Sequence, residues 1–330
     1  MNHNKTLNKI VEIVKNSGSQ KNCIVLSHQN PDGDTLGSML TIGEVLRMLG
    51  HNVDRVVSDP VPEIYKFLPF ANLVKAPCDS SLHEKYDLAF SLDCGSDKRL
   101  GSAVKFWQSA GSTINIDHHI SNEKFGIYNW IEPNAVSTGQ VVFWLAKSLK
   151  INITSELATL FYITLLTDTG CFSNSNTTAE ALLWGAELIK LGADHLSIYQ
   201  RVFLEKPFIT LKAFGMVLSN LSLLENGNIA FAYIDHETMK NLSATSADTE
   251  DVADYMKRIK GVKISIFLRE DSKRETKVSF RSNNEFDVSK IAASLGGGGH
   301  KRAAGANIKF PLNEAREIIV NKVLEEFKKF

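Results

Sequence analysis

The chain has 330 residues, of which 43% are hydrophobic and 22% are charged, a balance typical of a globular protein. Its 37 basic residues equal its 37 acidic residues, so long-range attraction to nucleic acid or to an anionic membrane is not expected. No apolar stretch approaches the ~20 residues of a membrane-spanning helix, and the cysteines show no CxxC spacing. We therefore expect a cytoplasmic protein with free thiols and, at this length, two domains.

Short apolar runs alternate with helical patterns through the first half of the chain, after an N-terminal amphipathic helix pattern. Strands are predicted at 23–27, 53–57, 88–92, 113–117 and 127–132, and helices at 36–49, 139–149, 155–167 and 179–191. CIVL and LAFSL are hydrophobic at every position, which is typical of strands covered on both faces in a parallel α/β sheet. In such sheets ligands bind at the carboxyl ends of the strands.

The pattern changes near residue 193. We predict a first domain over 1–192, a helical connector over 193–218 and a smaller α+β domain over 219–330. The second domain is predicted to contain a strand at 229–234, a helix near 248–260, the strands KISIFLRE and TKVSFRS, a helix at 287–295, the glycine-rich stretch GGGGHKRAAG, a last strand and a C-terminal helix.

The stretch LSHQNPDGDTLGS, residues 26–38, follows the first predicted strand. A tight turn explains its Pro, Asp and Gly, because Pro fixes φ, Asp bonds its own backbone and Gly tolerates positive φ. A turn does not explain His28 four residues before Asp32, nor a second carboxylate at Asp34. These three side chains therefore point to a chemical role.

Three further clusters contain similar side chains at the ends of predicted elements. Asp93 follows LAFSL, Asp117–His119 ends a strand in NIDHHISN, and Asp168 ends the apolar helix of LFYITLLTDTG. A carboxylate at a helix C-terminus opposes the helix dipole at a cost of about 0.3–1 kcal/mol, so a nearby cation is expected at Asp168. For that motif alone, an Asx turn before Gly170 is the alternative.

Together these clusters offer many carboxylates and a few imidazoles. Hard oxygen ligands with some imidazole suit Mn²⁺ or Mg²⁺ better than a thiolate zinc site. Adjacent carboxylates raise each other's pKa, so they do not all ionise without strong positive charge nearby. Two divalent ions sharing bridging carboxylates would supply that charge, activate a water and stabilise an in-line phosphoryl displacement.

HQNPDGDTLGS, the Asp93 motif, DHH and TDTG, in this order, resemble the DHH phosphoesterase superfamily. GGGGHKRAAG resembles the glycine-rich signature of the DHH-associated C-terminal domain, so the resemblance spans about residues 20–310. The two-domain length is most similar to bifunctional oligoribonucleases (nano-RNases) that also remove the 3′-phosphate of pAp. Related members are phosphodiesterases that cleave cyclic di-AMP.

The resemblance implies six metal ligands at matched positions: His28, Asp32, Asp34, Asp93, His118 and Asp168. His28 and Asp32 would bind one ion, and Asp34 and His118 would bind the other. Asp93 would bridge both ions, and Asp168 would complete the cluster. The implied ions are two Mn²⁺, with Mg²⁺ or Co²⁺ as alternatives.

The resemblance also implies two catalytic residues beside the ligands. Asp117 would orient a histidine ligand, which metal-bound imidazoles usually require. His119 would contact the scissile phosphate or help to protonate the leaving oxygen. Where relatives usually continue STGE, this chain has Gln140, a departure near the metal domain that leaves the ligands untouched.

A third set of residues is assigned to substrate binding. Consecutive glycines bring backbone amides close to an anion, and the planar fork of an arginine suits phosphate. The resemblance implies a phosphate-binding arginine at Arg281. The full set is Arg99, Arg281, Gly297, Gly298, Gly299, His300 and Arg302. A flexible linker is the alternative for the glycines, and a surface salt bridge is the alternative for Arg99.

We therefore expect a two-domain metal-dependent phosphoesterase with its active site in the cleft between the domains. The resemblance implies RNAs of about two to five nucleotides, together with pAp, as substrates. Zero net charge offers no extended basic track, so neither long nucleic acid nor a membrane is expected as a partner. The alternatives are a cyclic di-AMP or pApA phosphodiesterase, an inorganic pyrophosphatase and a non-enzymatic nucleotide-binding regulator. The oligomeric state stays open, with a homodimer among the alternatives.

Overall fold

The computed structural model describes residues 3–15, 20–283 and 286–329. The chain divides into two compact units, Met1–Glu205 and Lys206–Phe330. Their boundary falls inside the segment 193–218 predicted as a connector. Among the described residues, no helix has both the length and the apolarity that a membrane span requires.

The first unit contains a six-stranded parallel sheet. Its strands are β1 Asn22–Ser27, β2 Asn52–Val56, β3 Val74–Lys75, β4 Leu88–Leu92, β5 Ser112–Asp117 and β6 Tyr128–Ile131. Its helices are α1 His3–Lys15, α2 Gly33–Met48, α3 Val104–Ser109, α4 Thr138–Ser148, α5 Ser155–Asp168, α6 Ala179–Lys190 and α7 His195–Ile198. All five predicted strands of this unit are present, and the two-residue β3 was not predicted.

The strand order β3-β2-β1-β4-β5-β6 reverses between β1 and β4. Ligands of open α/β sheets bind at the carboxyl ends of the strands beside such a reversal. Ser27 is paired with Leu92, and Leu92 is paired with Ile116, so β1, β4 and β5 end side by side. The predicted motifs that follow these three strands therefore leave the sheet at one edge.

Helices α2 and α5 pack closely against each other because α2 has glycines at the contact. A Cβ on Gly37 would lie 2.6 Å from the carbonyl oxygen of Leu160, and a Cβ on Gly33 would lie 2.8 Å from Oγ1 of Thr167. Both helices are buried along most of their length. This contact brings the start of α2, which contains Asp34, close to the end of α5.

A buried charge pair joins α2 to the sheet. The side chains of Glu44 and Arg55 are 8% and 3% exposed, and Arg55 Nη2 lies 3.8 Å from Glu44 Oε2. Burial lowers the pKa of Arg55. Among the described residues, Arg55 Nε and Nη2 have no hydrogen-bond partner, so Glu44 supplies the balancing charge.

We expect Glu44→Gln to lower the free energy of unfolding by about 3 kcal/mol, because it leaves a buried guanidinium without its counter-charge. Urea unfolding followed by circular dichroism measures the change. Arg47→Gln is the matched control, since Arg47 pairs with the same carboxylate but is 61% exposed, and its loss should cost less than about 1 kcal/mol. Equal destabilisation by both variants would contradict the prediction.

The second unit contains a six-stranded mixed sheet in the order β11-β12-β10-β9-β8-β7. Its strands are β7 Ser222–Leu224, β8 Ile229–Ile234, β9 Ile264–Ser272, β10 Glu275–Ser282, β11 Gly298–His300 and β12 Ala303–Ile308. Its helices are α8 Phe208–Ser219, α9 His236–Leu242, α10 Val252–Met256, α11 Val288–Ser294 and α12 Leu312–Phe327. A core that includes Val278 and Phe280 packs under α11 and α12.

Two features of the second unit differ from simple sequence patterns. The helix predicted near 248–260 is shorter, with a 3₁₀ turn at Ala247–Thr249 followed by α10, whose Val252, Ala253 and Met256 are buried in the core. The glycine-rich stretch is not a flexible linker, since β11 pairs with β12. Gly299 has φ +142°, and a Cβ there would lie 2.5 Å from the carbonyl oxygen of Ala303, so the pairing requires glycine.

Candidate metal centre

The structure brings the six predicted ligands together at the carboxyl edge of the first sheet. Potential ligand atoms lie within 4.8 Å of one another in three overlapping groups. The groups are His28, Asp32 and Asp93; Asp34, His118 and Asp168; and Asp93, Asp117, His118 and His119. Asp93 is shared between the first and third groups, and His118 is shared between the second and third.

His28 and Asp93 face each other across a threonine hydroxyl. His28 Nε2 lies 3.5 Å from Asp93 Oδ2. The hydroxyl Oγ1 of Thr35 lies 2.6 Å from His28 Nε2 and donates a hydrogen bond to Asp93 Oδ2 at 2.7 Å. His28 Nδ1 bonds the carbonyl of Gln29 at 2.6 Å. This bond fixes the ring so that Nε2 points towards the carboxylates.

Asp32 and Asp93 have special backbone positions. Asp32 is the N-cap of α2 and accepts a hydrogen bond from the amide of Thr35 at 2.9 Å. Asp93 directly follows β4 with φ +55°, a left-handed conformation that few non-glycine residues adopt. Strain of this kind is typical of functional sites, where the surrounding contacts hold the residue in place.

The second group is built from helix termini. Asp34 accepts backbone hydrogen bonds from Thr138 at 2.7 Å and Gly139 at 2.9 Å, at the start of α4. His118 Nε2 lies 3.2 Å from Asp168 Oδ2, and its Nδ1 bonds the carbonyl of Ala135 at 3.3 Å. Both predicted histidine ligands therefore have Nδ1 on a backbone carbonyl and Nε2 towards carboxylates.

Asp117 is fully buried and organises the DHH motif. Its Oδ1 accepts from the His118 amide at 2.7 Å and lies 2.8 Å from His119 Nδ1, while its Oδ2 accepts from Asn122 at 2.6 Å. The hydrogen bond to Asp117 is the main cause that raises the pKa of His119 to about 9. This contact therefore favours the protonated form of the His119 imidazole.

The electrostatics of the carboxylates fit a bound cation. Burial and the like charges of Asp93 and Asp168 raise the pKa of Asp34 well above its usual range. Burial and neighbouring carboxylates raise the pKa of Asp168 to about 8. In the described part of the chain, no lysine or arginine forms an ion pair with these three acids, whose partners are histidines. Divalent cations would supply the missing positive charge.

Two threonines of the site were not predicted from the sequence. Thr35 joins His28 to Asp93, and the hydroxyl of Thr138 donates to Asp93 Oδ1 at 2.9 Å. The signal for Thr138 lies in the stretch STGQ, in which Ser137 caps α4 and accepts from the amide of Gln140. The helix predicted at 139–149 begins in this stretch, and the free amides at its start are groups that a carboxylate such as Asp34 can accept from.

Gln140, which stands where the resembled family usually has glutamate, contributes to the cap at the start of α4. Its side-chain oxygen accepts a hydrogen bond from the amide of Val136 at 3.0 Å. A glutamate oxygen accepts the same bond, so the exchange of glutamate for glutamine leaves the start of α4 intact.

Arg281, predicted to bind phosphate, lies in the second unit with a carboxylate partner. Its Nε donates to Asp254 Oδ2 at 2.7 Å, and its Nη1 donates to the carbonyl of Phe280 at 3.1 Å. A cavity of about 320 Å³ is lined by Arg281, Lys277, Glu250 and the backbone of 298–299. Cationic side chains and glycine backbone in one cavity suit an anion.

The other predicted substrate residues lie on exposed chain. His300 ends β11, and Arg302 lies in the turn to β12. Gly297 packs against the backbone of Gly305, and a Cβ on Gly297 would collide with the carbonyl oxygen of Gly305. Arg99 is exposed and has no carboxylate at ion-pair distance among the described residues, and its carbonyl accepts a hydrogen bond from the amide of Gln29, next to His28, at 2.8 Å.

Cavity size does not identify this centre. A cavity of about 670 Å³ lies at the opposite edge of the first sheet, where Lys21, Asp87 and Ser112 line it. Those residues lie at the amino ends of strands, where parallel sheets rarely bind ligands. The convergence of ligand atoms is the stronger indication.

Comparison with known proteins agrees with this geometry. Residues 22–165 match the DHH family, N-terminal domain, and residues 226–329 match the DHHA1 domain. The bifunctional oligoribonuclease and PAP phosphatase NrnA of Thermus thermophilus is 34% identical over 306 residues, covering 92% of this chain and 89% of that protein. The protein of the same name from Bacillus subtilis is 25% identical over 314 residues, covering 94% and 96%.

Solved structures show the same fold. An exopolyphosphatase-related protein from Bacteroides fragilis is similar with a TM-score of 0.82 and 28% identity, covering 99% of this chain and 96% of that chain. Exonuclease RecJ bound to manganese is similar with a TM-score of 0.51 and 14% identity, covering 100% and 95%.

Proposed function

The chain belongs to the DHH family, and from this membership and the ligand geometry we propose a metal-dependent phosphoesterase that hydrolyses very short RNAs to mononucleotides and dephosphorylates pAp to AMP. The similar proteins named oligoribonuclease and PAP phosphatase span nearly the whole chain, which supports this substrate class. The observation that carries the proposal is the convergence of six matched ligands on one edge of the sheet.

In this proposal the ligand groups hold two ions, with Mn²⁺ the metal that their oxygen and imidazole atoms suit. His28, Asp32 and Asp93 would hold one ion, and Asp34, His118 and Asp168 would hold the other, with Asp93 bridging. Such a pair of ions supplies a water-derived nucleophile at neutral pH and stabilises the attacking and leaving oxygens of a phosphoryl displacement.

The other residues of the metal centre hold neighbouring side chains in place or supply a proton. Asp117 holds the His119 ring by the 2.8 Å contact and favours its protonated form. His119, whose side chain is 43% exposed, is the residue that would donate a proton to the leaving oxygen. Thr35 and Thr138 hold the Asp93 carboxylate from two sides.

The second unit would bind a phosphate group of the substrate. Arg281 offers an Nη group in a cavity with Lys277 and the backbone of 298–299. The predicted residues His300 and Arg302 add donors in the neighbouring turn. Arg99 would contribute a further cation near His28.

We expect the protein with Mn²⁺ to hydrolyse di- and trinucleotides at least about tenfold faster than a 24-mer RNA, because a chain with equal numbers of acidic and basic residues offers no extended track for phosphates. Release of mononucleotides from end-labelled RNA, resolved on a gel, measures both rates. Equal rates on both lengths would contradict the short-substrate proposal.

The same assay separates the proposed function from its alternative. Turnover of pAp, pApA and cyclic di-AMP is compared at one enzyme concentration, with EDTA as the metal-removal control. Faster turnover of pAp and dinucleotides than of cyclic di-AMP supports the proposal. Turnover of cyclic di-AMP or pApA without turnover of pAp would contradict the proposal and support the alternative, a cyclic di-AMP or pApA phosphodiesterase.

A further inference from the structure

A second cavity of the first unit lies beside residues 28–34, the loop and helix start that contain the predicted ligands His28, Asp32 and Asp34. It has a volume of about 550 Å³ and lies at the carboxyl ends of β2 and β3. Val61, Ala71 and Val74 form part of its apolar lining, and Asp59 and Asn72 contribute polar groups. A mainly apolar cavity of this size with few polar groups is typical of small-molecule sites.

The wall of this cavity contacts the loop that contains the predicted ligands. The amide of Asn30 donates to Asp59 Oδ2 at 2.8 Å. Asn30 lies midway between His28 and Asp32 and has φ +53°. A molecule in this cavity therefore lies next to the metal centre.

The charged side chains of the cavity indicate which chemical group enters it. Lys66 and Lys75 line it, but Lys66 pairs with Glu63 at 2.6 Å and Lys75 pairs with Asp54 at 2.6 Å. Their charges are balanced, so the cavity is poorly suited to a phosphate. Asp59 uses Oδ2 for Asn30, and its Oδ1 has no hydrogen-bond partner among the described residues.

We propose, building on the proposed function, that this cavity binds the nucleobase of the substrate and that Asp59 selects bases with an exocyclic amino group. A flat ring fits between apolar walls, and the free carboxylate oxygen accepts a hydrogen bond from the amino group of adenine or cytosine. Hypoxanthine and uracil have a carbonyl at that position. Its oxygen and the carboxylate oxygen are both acceptors, so no hydrogen bond forms between them. Such an unmatched pair should lower kcat/KM for the hypoxanthine or uracil substrate.

The test compares adenine with hypoxanthine, which differ at the C6 substituent. The wild-type protein should hydrolyse adenosine 3′,5′-bisphosphate with a kcat/KM roughly tenfold or more above that of the inosine analogue. In Asp59→Asn, the amide oxygen keeps the bond to Asn30, while the amide nitrogen donates to the C6 carbonyl. The preference should therefore reverse.

Two controls isolate the base from the metal. Glu84→Gln, an exposed carboxylate outside the cavity, should keep the wild-type preference. Mn²⁺ titration of Asp59→Asn should match that of the wild type, which shows that the loop is intact. An unchanged adenine preference in Asp59→Asn, or an equal loss on both substrates, would overturn the proposal.

Binding of AMP and IMP, measured by calorimetry, gives a readout that does not depend on hydrolysis. A preference for AMP that reverses in Asp59→Asn supports the nucleobase site even if pAp is not a substrate. Equal binding of AMP and IMP to both proteins would overturn it. Failure of the proposed function alone would appear as binding without turnover.

Discussion

Asp93→Ala is expected to abolish hydrolysis of dinucleotides and of pAp, lowering kcat/KM by roughly 10³-fold or more, since metal ions contribute several kcal/mol of transition-state stabilisation. Asp93 lies 3.5 Å from His28 and 3.9 Å from His118, so it borders both proposed ion positions. Its loss should reduce the uptake of Mn²⁺ measured by calorimetry as well as the rate.

Asp93→Asn separates the loss of charge from the loss of structure. In Asp93→Asn, the amide oxygen accepts from the hydroxyl of one of the two threonines, Thr35 or Thr138, and the amide nitrogen donates to the hydroxyl of the other. Thermal unfolding of the metal-free variant should therefore stay close to that of the wild type. Metal uptake should nevertheless fall, because a neutral amide is a weaker ligand than a bridging carboxylate. A variant that binds Mn²⁺ as tightly as the wild type would show that Asp93 is not a ligand.

His119→Gln is expected to lower kcat by about 10²–10³-fold while Mn²⁺ uptake is preserved, because general acid catalysis contributes about 10²–10⁴-fold. This outcome differs from that of Asp93→Ala, in which rate and metal binding fall together. Loss of metal uptake in His119→Gln would instead make His119 a ligand.

The pH profile tests the role of Asp117 in the same step. A group that acts as an acid is active below its pKa, and the contact with Asp117 raises the pKa of His119 to about 9. Asp117→Asn removes the charge that favours the protonated ring, so the rate should begin to fall at lower pH than in the wild type. An unmoved basic limb of the profile would exclude His119 as the acid.

Much of the first unit and its centre could be predicted from local sequence. Continuous apolar runs predicted parallel strands, and the side chains directly after them had to share one edge of the sheet. His28, Asp93 and His118 lie together for this reason, although each belongs to a different motif. Asp168 was predicted at a helix end, and the structure places it there.

The contacts around the candidate sites of the two units could not be predicted in this way, because they join distant parts of the chain. Asp254 binds Arg281 across 27 positions, and Asp59 binds Asn30 across 29. The hydroxyl of Thr35 contacts Asp93 across 58 positions. A single sequence contains the residue types of these pairs but not their proximity.

The close packing of α2 on α5 has a consequence for how the enzyme tolerates change. Asp34 lies on one helix and Asp168 ends the other, so the spacing of these two carboxylates depends on the interior contact at Gly37. A single methyl group added there would push the helices apart. Substitutions at this helix contact would then reduce turnover although the substituted residues contact neither nucleotide nor ion. A mutational scan would therefore find sensitive positions in the buried core as well as among the residues of the metal centre.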